Sequence, residues 1–285
     1  MSGVQVLVAV CTLALAVGPG SQAFAQPDPF TANAVDGFSN TNGDGFWVAY
    51  FNGSVTSAGN AHHFGDAAYL HLNLPIVAGA AHGNAGYWLL GDDGGVFSFG
   101  SARFHGSMGG THLNLPMRSM APTKTGNGYW LVAYDGGVFS FGDAKFYGSA
   151  ANLKTNAPIR GITTSATGNG YRLVGGDGGI FSFGDAKFYG SLPSIGLRVF
   201  DVVGMASTPT GKGYWIARLG GQVYAFGDAK NFGNYAASQC DPVRAVFSNP
   251  TAQGYRLLTD SGGTVAFGDA PKTYVSAPPL KCATP

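Results

Sequence analysis

Histidine, aspartate and serine are the residue types here that could do chemistry, and their spacing limits what they could do. All six histidines (His62, His63, His71, His82, His105 and His112) fall in the first half of the chain. No H-x-x-x-H or similar spacing joins them, so nothing predicts ligands converging on a metal. His71 and His112 open identical His-Leu-Asn-Leu-Pro strings 41 residues apart, which makes them one loop written twice. The fifteen acidic residues are all Asp, because the chain has no Glu, and this excludes any mechanism that needs a catalytic Glu. Asn40-Thr41-Asn42-Gly43-Asp44-Gly45 has the outline of a calcium loop without the bidentate Glu such a loop requires. Gly106-Ser107-Met108-Gly109 is half a nucleophile elbow, with His105 where the first Gly should stand. The sequence therefore predicts no catalytic residue, no metal and no cofactor. If activity exists, the histidines together with Asp66, Asp92 and Asp93 are where it would be sought.

Trp47, Trp88, Trp130 and Trp215 are every Trp in the protein, and each follows Gly-Tyr or Gly-Phe. Arg172 and Arg256 stand in the same context. Two readings stay open for these six positions. They could pack between neighbouring structural units, or they could form a ring of stacking and cation–π surfaces suited to a sugar or peptide ligand.

The elements that position them follow from an internal repeat. Gly45, Gly86, Gly128, Gly170, Gly213 and Gly254 begin equivalent strings at steps of 41, 42, 42, 43 and 41. In the third repeat, Met117–Thr123 reads as a strand, Gly126-Asn127-Gly128 as a turn and Tyr129–Tyr134 as a second strand. Asp135-Gly136-Gly137 is hairpin chemistry, Val138–Phe141 alternates as a third strand, and Lys145–Ser149 reads as a short outer fourth. The recurring aspartates of Asp-Gly-Gly (Asp135, Asp177) and Gly-Asp-Ala (Asp143, Asp185, Asp228, Asp269) read as acceptors for turn N–H groups. Four short antiparallel strands per ~42 residues predict an all-β, six-bladed β-propeller. A linear β-solenoid fits less well, since its turns are shorter.

The pattern Gly-Tyr-Trp-Leu-Val … Asp-Gly-Gly-Val-Phe-Ser-Phe-Gly-Asp-Ala-Lys-Phe-Tyr-Gly-Ser resembles a repeat of secreted and cell-wall-associated actinobacterial proteins. There it often accompanies peptidoglycan-hydrolase or peptidase domains. The resemblance spans Gly45 to about Tyr274 and implies a propeller-like accessory module at the cell envelope.

Val4–Val17 is an apolar run of signal-peptide length, and Ala23-Phe24-Ala25 is a small-x-small cleavage site, so residues 1–25 are expected to be removed and 26–285 to form the propeller domain. The run is shorter than a membrane span needs, and no second run of that length follows. The mature chain then keeps two cysteines, Cys240 and Cys282, 42 apart and expected to pair as a disulfide locking the last blade. A net charge of +1 with the sixteen basic residues spread singly gives no footprint for nucleic acid. The expected product is an exported monomer that binds a cell-envelope glycan, peptidoglycan or a protein partner. The alternative is an envelope hydrolase, lyase or esterase with its site at the propeller mouth.

Overall fold

A computed structural model describes residues 33–250, 253–273 and 275. The expected signal peptide, Cys11 and Cys282 lie outside the described residues. Among the described residues eighteen strands form six separate antiparallel sheets of three. In chain order the sheets are β1 (Ala34–Ser39), β2 (Gly45–Tyr50) and β3 (Val55–Gly59); β4 (Ile76–Ala81), β5 (Gly86–Gly91) and β6 (Val96–Gly100); and β7 (Met117–Pro122), β8 (Gly128–Ala133) and β9 (Val138–Gly142). They continue as β10 (Ile159–Thr164), β11 (Gly170–Gly175) and β12 (Ile180–Gly184); β13 (Val202–Ser207), β14 (Gly213–Arg218) and β15 (Val223–Gly227); and β16 (Val243–Ser248), β17 (Gly254–Thr259) and β18 (Thr264–Gly268). No described helix is long and apolar enough to cross a membrane.

The first strand of each sheet packs against the first strands of its two neighbours, and β1 also packs against β16, so the six sheets close into a ring of blades. Middle strands are buried at every residue except Arg218, as a strand must be when both of its faces meet another blade. One hydrogen bond recurs at every boundary: the N–H of the first residue of an inner strand donates to a carbonyl of the preceding blade's second hairpin. It runs from Ile76 to Phe51, from Met117 to Asp92 and from Ile159 to Tyr134, each at 2.8–3.0 Å, and it closes the ring from Ala34 to Asp260 at 2.9 Å. Among the described residues each blade keeps its own three consecutive strands, and none is exchanged between the first blade and the last.

Among the described residues the expected fourth strand is absent, and the backbone of that segment shows why. In blade 3, the segment after β9 offers the Lys145 carbonyl to Trp130 Nε1 (2.7 Å). The Tyr171 hydroxyl of the next blade donates to Gly148 O (2.5 Å) and accepts from Tyr147 N (3.2 Å). Side chains satisfy the polar groups that a ladder with β9 would otherwise use. A Cβ on Gly148 would run into the Phe183 ring of the following blade, so only glycine admits this approach. The segment ends at the second hairpin, where Ala150 N donates to Gly136 O (3.0 Å). Gly136 sits at φ 85°, and a Cβ there would meet Ala150.

Each inner strand carries a register shift after its first residue, for example between Met117 and Ser119 and between Ile159 and Gly161. The extra residue at this bulge is Val35, Val77, Arg118, Arg160, Val203 or Arg244 in successive blades. Bulges leave one residue unpaired and re-aim its side chain. Here they sit where the inner strands begin, around the central axis.

Candidate functional site

The six Trp/Arg positions lie inside the blade boundaries at 0–1% exposure. Trp and Tyr are consecutive on a middle strand, so they point to opposite faces of the blade. The Trp meets the next blade and the Tyr meets the previous one. Ring centroids are 5.4 Å apart for Trp47 and Tyr87, 5.5 Å for Trp88 and Tyr129, 5.6 Å for Trp130 and Tyr171, and 5.3 Å for Trp215 and Tyr255. At the two remaining boundaries a guanidinium replaces the indole. Arg172 Cζ lies 5.5 Å from the Tyr214 ring centre and Arg256 Cζ 4.7 Å from that of Phe46.

Arginine also keeps the indole's polar task. Trp47, Trp88, Trp130 and Trp215 donate Nε1–H to the carbonyls of His62, Arg103, Lys145 and Lys230 at 2.7–2.8 Å. Arg172 Nε donates to Lys187 O (2.7 Å) and Arg256 Nη2 to Pro271 O (2.6 Å). All six acceptors lie fifteen residues downstream. Burial lowers the pKa of both guanidiniums, and carbonyls and aromatic faces take the place of a carboxylate partner. The expectation of a ligand-binding ring at Trp47, Trp88, Trp130, Arg172, Trp215 and Arg256 is corrected here. Side chains enclosed between blades present no face on which a ligand could stack.

The other candidates resolve in the same local terms. Asp135 and Asp177 accept from the N–H of Gly137 and Gly179 (2.8 and 2.9 Å), as a turn aspartate should. Asp143 and Asp228 instead take hydroxyls from the turn between the first and second strands, Thr123 and Thr125 for one, Thr208 and Thr210 for the other. Asp44 is held by the amides of Asn40 (2.7 Å) and Asn60 (3.1 Å), which lower its pKa. The histidines do not converge. His62 packs edge-on against Phe64, and His63 pairs with Asp66 at 3.6 Å. His82 and His105 flank Trp88, while His71 and His112 are exposed. Among the described residues no three His, Cys, Asp or Glu side chains gather as metal ligands. Cys240 is not a free thiol, and its expected partner Cys282 lies outside the described residues.

Two features do distinguish one face of the ring. Alternation of strand direction puts the second hairpins and the blade-to-blade connectors on the same side. Among the described residues, nine of the twelve exposed large hydrophobic side chains belong to those segments: Phe51, Tyr69, Leu70, Leu74, Leu115, Leu153, Ile195, Phe200 and Leu219. The other three, Phe104, Phe146 and Phe188, sit at one repeat position on the outer wall. On the opposite face the turns are polar and tied to one another, as between Asn42 and Asn84 (2.9 Å) and between Asn249 and the Gly43 carbonyl (2.9 Å). An open cleft of about 420 Å³ on the connector face is lined by Leu74, Asp92, Asp93, His112, Leu113 and Pro116. Burial and the neighbouring Asp93 raise the pKa of Asp92.

At the centre of the same face, Asp36, Arg118, Ser119, Arg160 and Arg244 line a small cavity on the axis. Asp36 accepts from Gly37 N (2.9 Å) and from Gly79 N of the next blade (3.1 Å). Inner strands ring it, and desolvation pushes its pKa up to about 6 against the counter-pull of those bonds and Arg118. Sequence reasoning missed these arginines. The signal was present as Arg at one repeat position in three blades, but it is readable only once the bulge fixes the register.

Three outcomes follow. Trp130→Ala should cost about 3–5 kcal/mol of stability, since it empties a packed boundary and strips the Lys145 carbonyl of its donor. Arg172→Trp, which restores the indole of the other blades, should unfold at a temperature no lower than the parent, as read by calorimetry. For Asp36 the folded pKa near 6 exceeds the ordinary 3.8, so protonation favours the folded state. Its stabilising contribution is complete below the ordinary value and is lost as pH rises through 6. The melting temperature of Asp36→Asn relative to the parent should therefore rise between pH 4 and pH 7 and then level off; a pH-independent difference would refute this.

Neither a protein-family model nor a curated protein sequence matches the chain. Among solved structures, the chain is similar to the β-propeller domain of Cps50 (Swd1) from Myceliophteria thermophila, with a TM-score of 0.56 over 82% of each chain at 9% identity. Identity that low speaks for the fold alone: the chain has the architecture of a β-propeller, built from six blades of three strands.

Proposed function

We propose that this chain is an exported, non-catalytic binding module that engages a cell-envelope glycan, peptidoglycan or an envelope protein through its connector face. The observation that carries this reading is the one-sided distribution of exposed apolar side chains, nine of twelve on that face. Exposed apolar side chains gathered on one face point to an interaction surface, and the Trp side chains and the middle-strand tyrosines Tyr87, Tyr129, Tyr171, Tyr214 and Tyr255 are enclosed between blades. Export rests on the apolar run Val4–Val17, the Ala23-Phe24-Ala25 site and the resemblance of the repeat to wall-associated proteins. A Cys240–Cys282 bond that locks the last blade belongs to the same reading.

The hydrolase alternative would use the cleft of Asp92, Asp93 and His112. Its two carboxylates are consecutive in sequence rather than opposed across the cleft, and Asp93 is engaged by Gly95 N (2.9 Å). Glycoside hydrolysis needs an acid and a base or nucleophile flanking the scissile bond, so the binding reading is preferred.

Retention of the purified mature protein on insoluble cell wall tests the proposal. Phe200→Ser combined with Ile195→Ser should weaken retention with little change in melting temperature, and Phe146→Ser on the outer wall should not. Equal retention by all three, or release of sugar or peptide by the purified protein, would overturn it. The same material, unreduced, should begin at Gln26 and contain no free thiol by mass analysis; a chain beginning at Met1 or carrying two free thiols would remove that part of the reading.

A further inference from the structure

The residue that opens the turn of each second hairpin is Phe51, Asp92, Tyr134, Gly176, Leu219 or Asp260 in successive blades, and each offers its carbonyl to the following inner strand. The backbone of this position serves the fold, while its side chain varies. Two blades place a carboxylate there, and the two differ. In blade 6, Asp260 is paired at 2.6 Å with Arg244, the bulge residue of its own blade. In blade 2 the bulge residue is Val77, so Asp92 lacks that partner. Among the described residues the Asp92 carboxylate forms no ion pair and accepts no hydrogen bond.

Asp92 lines the open cleft of about 420 Å³. Leu74 reaches the same cleft from the first His-Leu-Asn-Leu-Pro loop, and Leu113 and Pro116 reach it from the second. Asp93 lies beside Asp92 and, as in the other hairpins, accepts a turn N–H, here from Gly95 (2.9 Å). The cation facing Asp92 is Arg118, and it is shared: it also faces Asp36 and donates Nη1–H to the Val77 carbonyl (3.1 Å). Burial and the charge of Asp93 outweigh it, so the pKa of Asp92 is raised. Two carboxylates against one shared guanidinium leave the cleft negative.

Walls and charge together define the guest. A purely apolar group would cover Asp92 and strip it of water without offering it a donor, which is costly. An aliphatic stem ending in an ammonium meets both demands, because such stems lie along apolar surface while their heads stay polar. Its N⁺–H···O⁻ bonds to a carboxylate are of the stronger, charge-assisted kind. The cleft is open, and exposed Asn73 and Thr111 in its lining offer amide and hydroxyl groups to the backbone that carries the stem. We propose that this cleft is a binding site for a lysine-like side chain of a peptide, with the stem along Leu74, Leu113 and Pro116 and the ammonium on Asp92. The inference rests on the connector face being the working face and names the chemistry that face selects.

The test is a titration of the folded protein, ¹³C-labelled at its leucine methyl groups, with Nα-acetyl-lysine amide at pH 8, where imidazole is ordinarily uncharged. The Leu74 and Leu113 methyl signals should shift saturably. Nα-acetyl-norleucine amide, which lacks the ammonium, and n-butylamine, which lacks the amides, should each bind more weakly. Asp92→Asn should weaken binding of the lysine probe by about tenfold or more. Asp92→Tyr copies blade 3, where Arg160 lies over the Tyr134 ring at 5.4 Å, so the melting temperature should be kept and binding lost. No saturable shift in the parent, either control binding as tightly as the lysine probe, or undiminished binding by either variant would each overturn the site. Loss of wall retention with lysine binding intact would count against the envelope reading alone. Loss of lysine binding while Ile195 and Phe200 still support retention would count against this site alone.

Discussion

Each blade boundary is held by one repeated exchange: an indole or guanidinium from one middle strand lies against an aromatic ring from the next. The first group donates to a backbone carbonyl fifteen residues downstream in its own blade. The tyrosine of the following blade reaches back to the same segment through its hydroxyl, as Tyr129 does to Gly106 (2.6 Å) and Tyr214 to Gly190 (2.5 Å). Burial raises the pKa of these phenols, so they remain protonated donors. Packing and hydrogen bonding are thus carried by two consecutive residues whose side chains diverge by strand alternation. Three strands suffice because the segment that would form a fourth is fixed by these side chains instead of a ladder.

The ring closes under the same constraint with one substitution. Phe46 occupies the tyrosine position in blade 1 and meets the Arg256 guanidinium and the Phe247 ring (5.5 Å). It has no hydroxyl to donate. The boundary is completed by Ser39 Oγ donating to Ser248 O (2.9 Å), by Asn249 Nδ2 donating to Gly43 O (2.9 Å) and by the inner-strand bond from Ala34 to Asp260. Divergence of the first and last repeats is therefore concentrated where the chain must join its own beginning.

Much of this was legible in the sequence because it is written locally. The ~42-residue period, the Asp-Gly-Gly hairpins and the alternation of Phe139 and Phe141 each depend on residues a few positions apart. The missing fourth strand was not legible: Lys145–Ser149 has the composition of a strand, and what satisfies it comes from Trp130 and from Tyr171 of another blade. The central cavity was hidden for a related reason. The bulge is a matter of pairing register, which the sequence does not show, so Arg118, Arg160 and Arg244 read as isolated basic residues about forty or more positions apart until the ring brings them to one axis. The Trp/Arg series was visible as a series, but both of its readings agreed with the spacing, and only burial separates them.

Once the aromatic series is assigned to the boundaries, the surface left for recognition is the connector face, with its exposed Leu, Ile and Phe side chains around an arginine-lined centre. Every Trp in the protein belongs to the boundary series, so intrinsic fluorescence reports on that series alone. The direct measurement is tryptophan emission with acrylamide quenching, in the free protein and on cell-wall material. The account predicts emission typical of buried indole and resistance to quenching, both unchanged when ligand is added. Red-shifted emission, ready quenching in the free protein, or protection from quenching by ligand would place the indoles at the binding surface and contradict it.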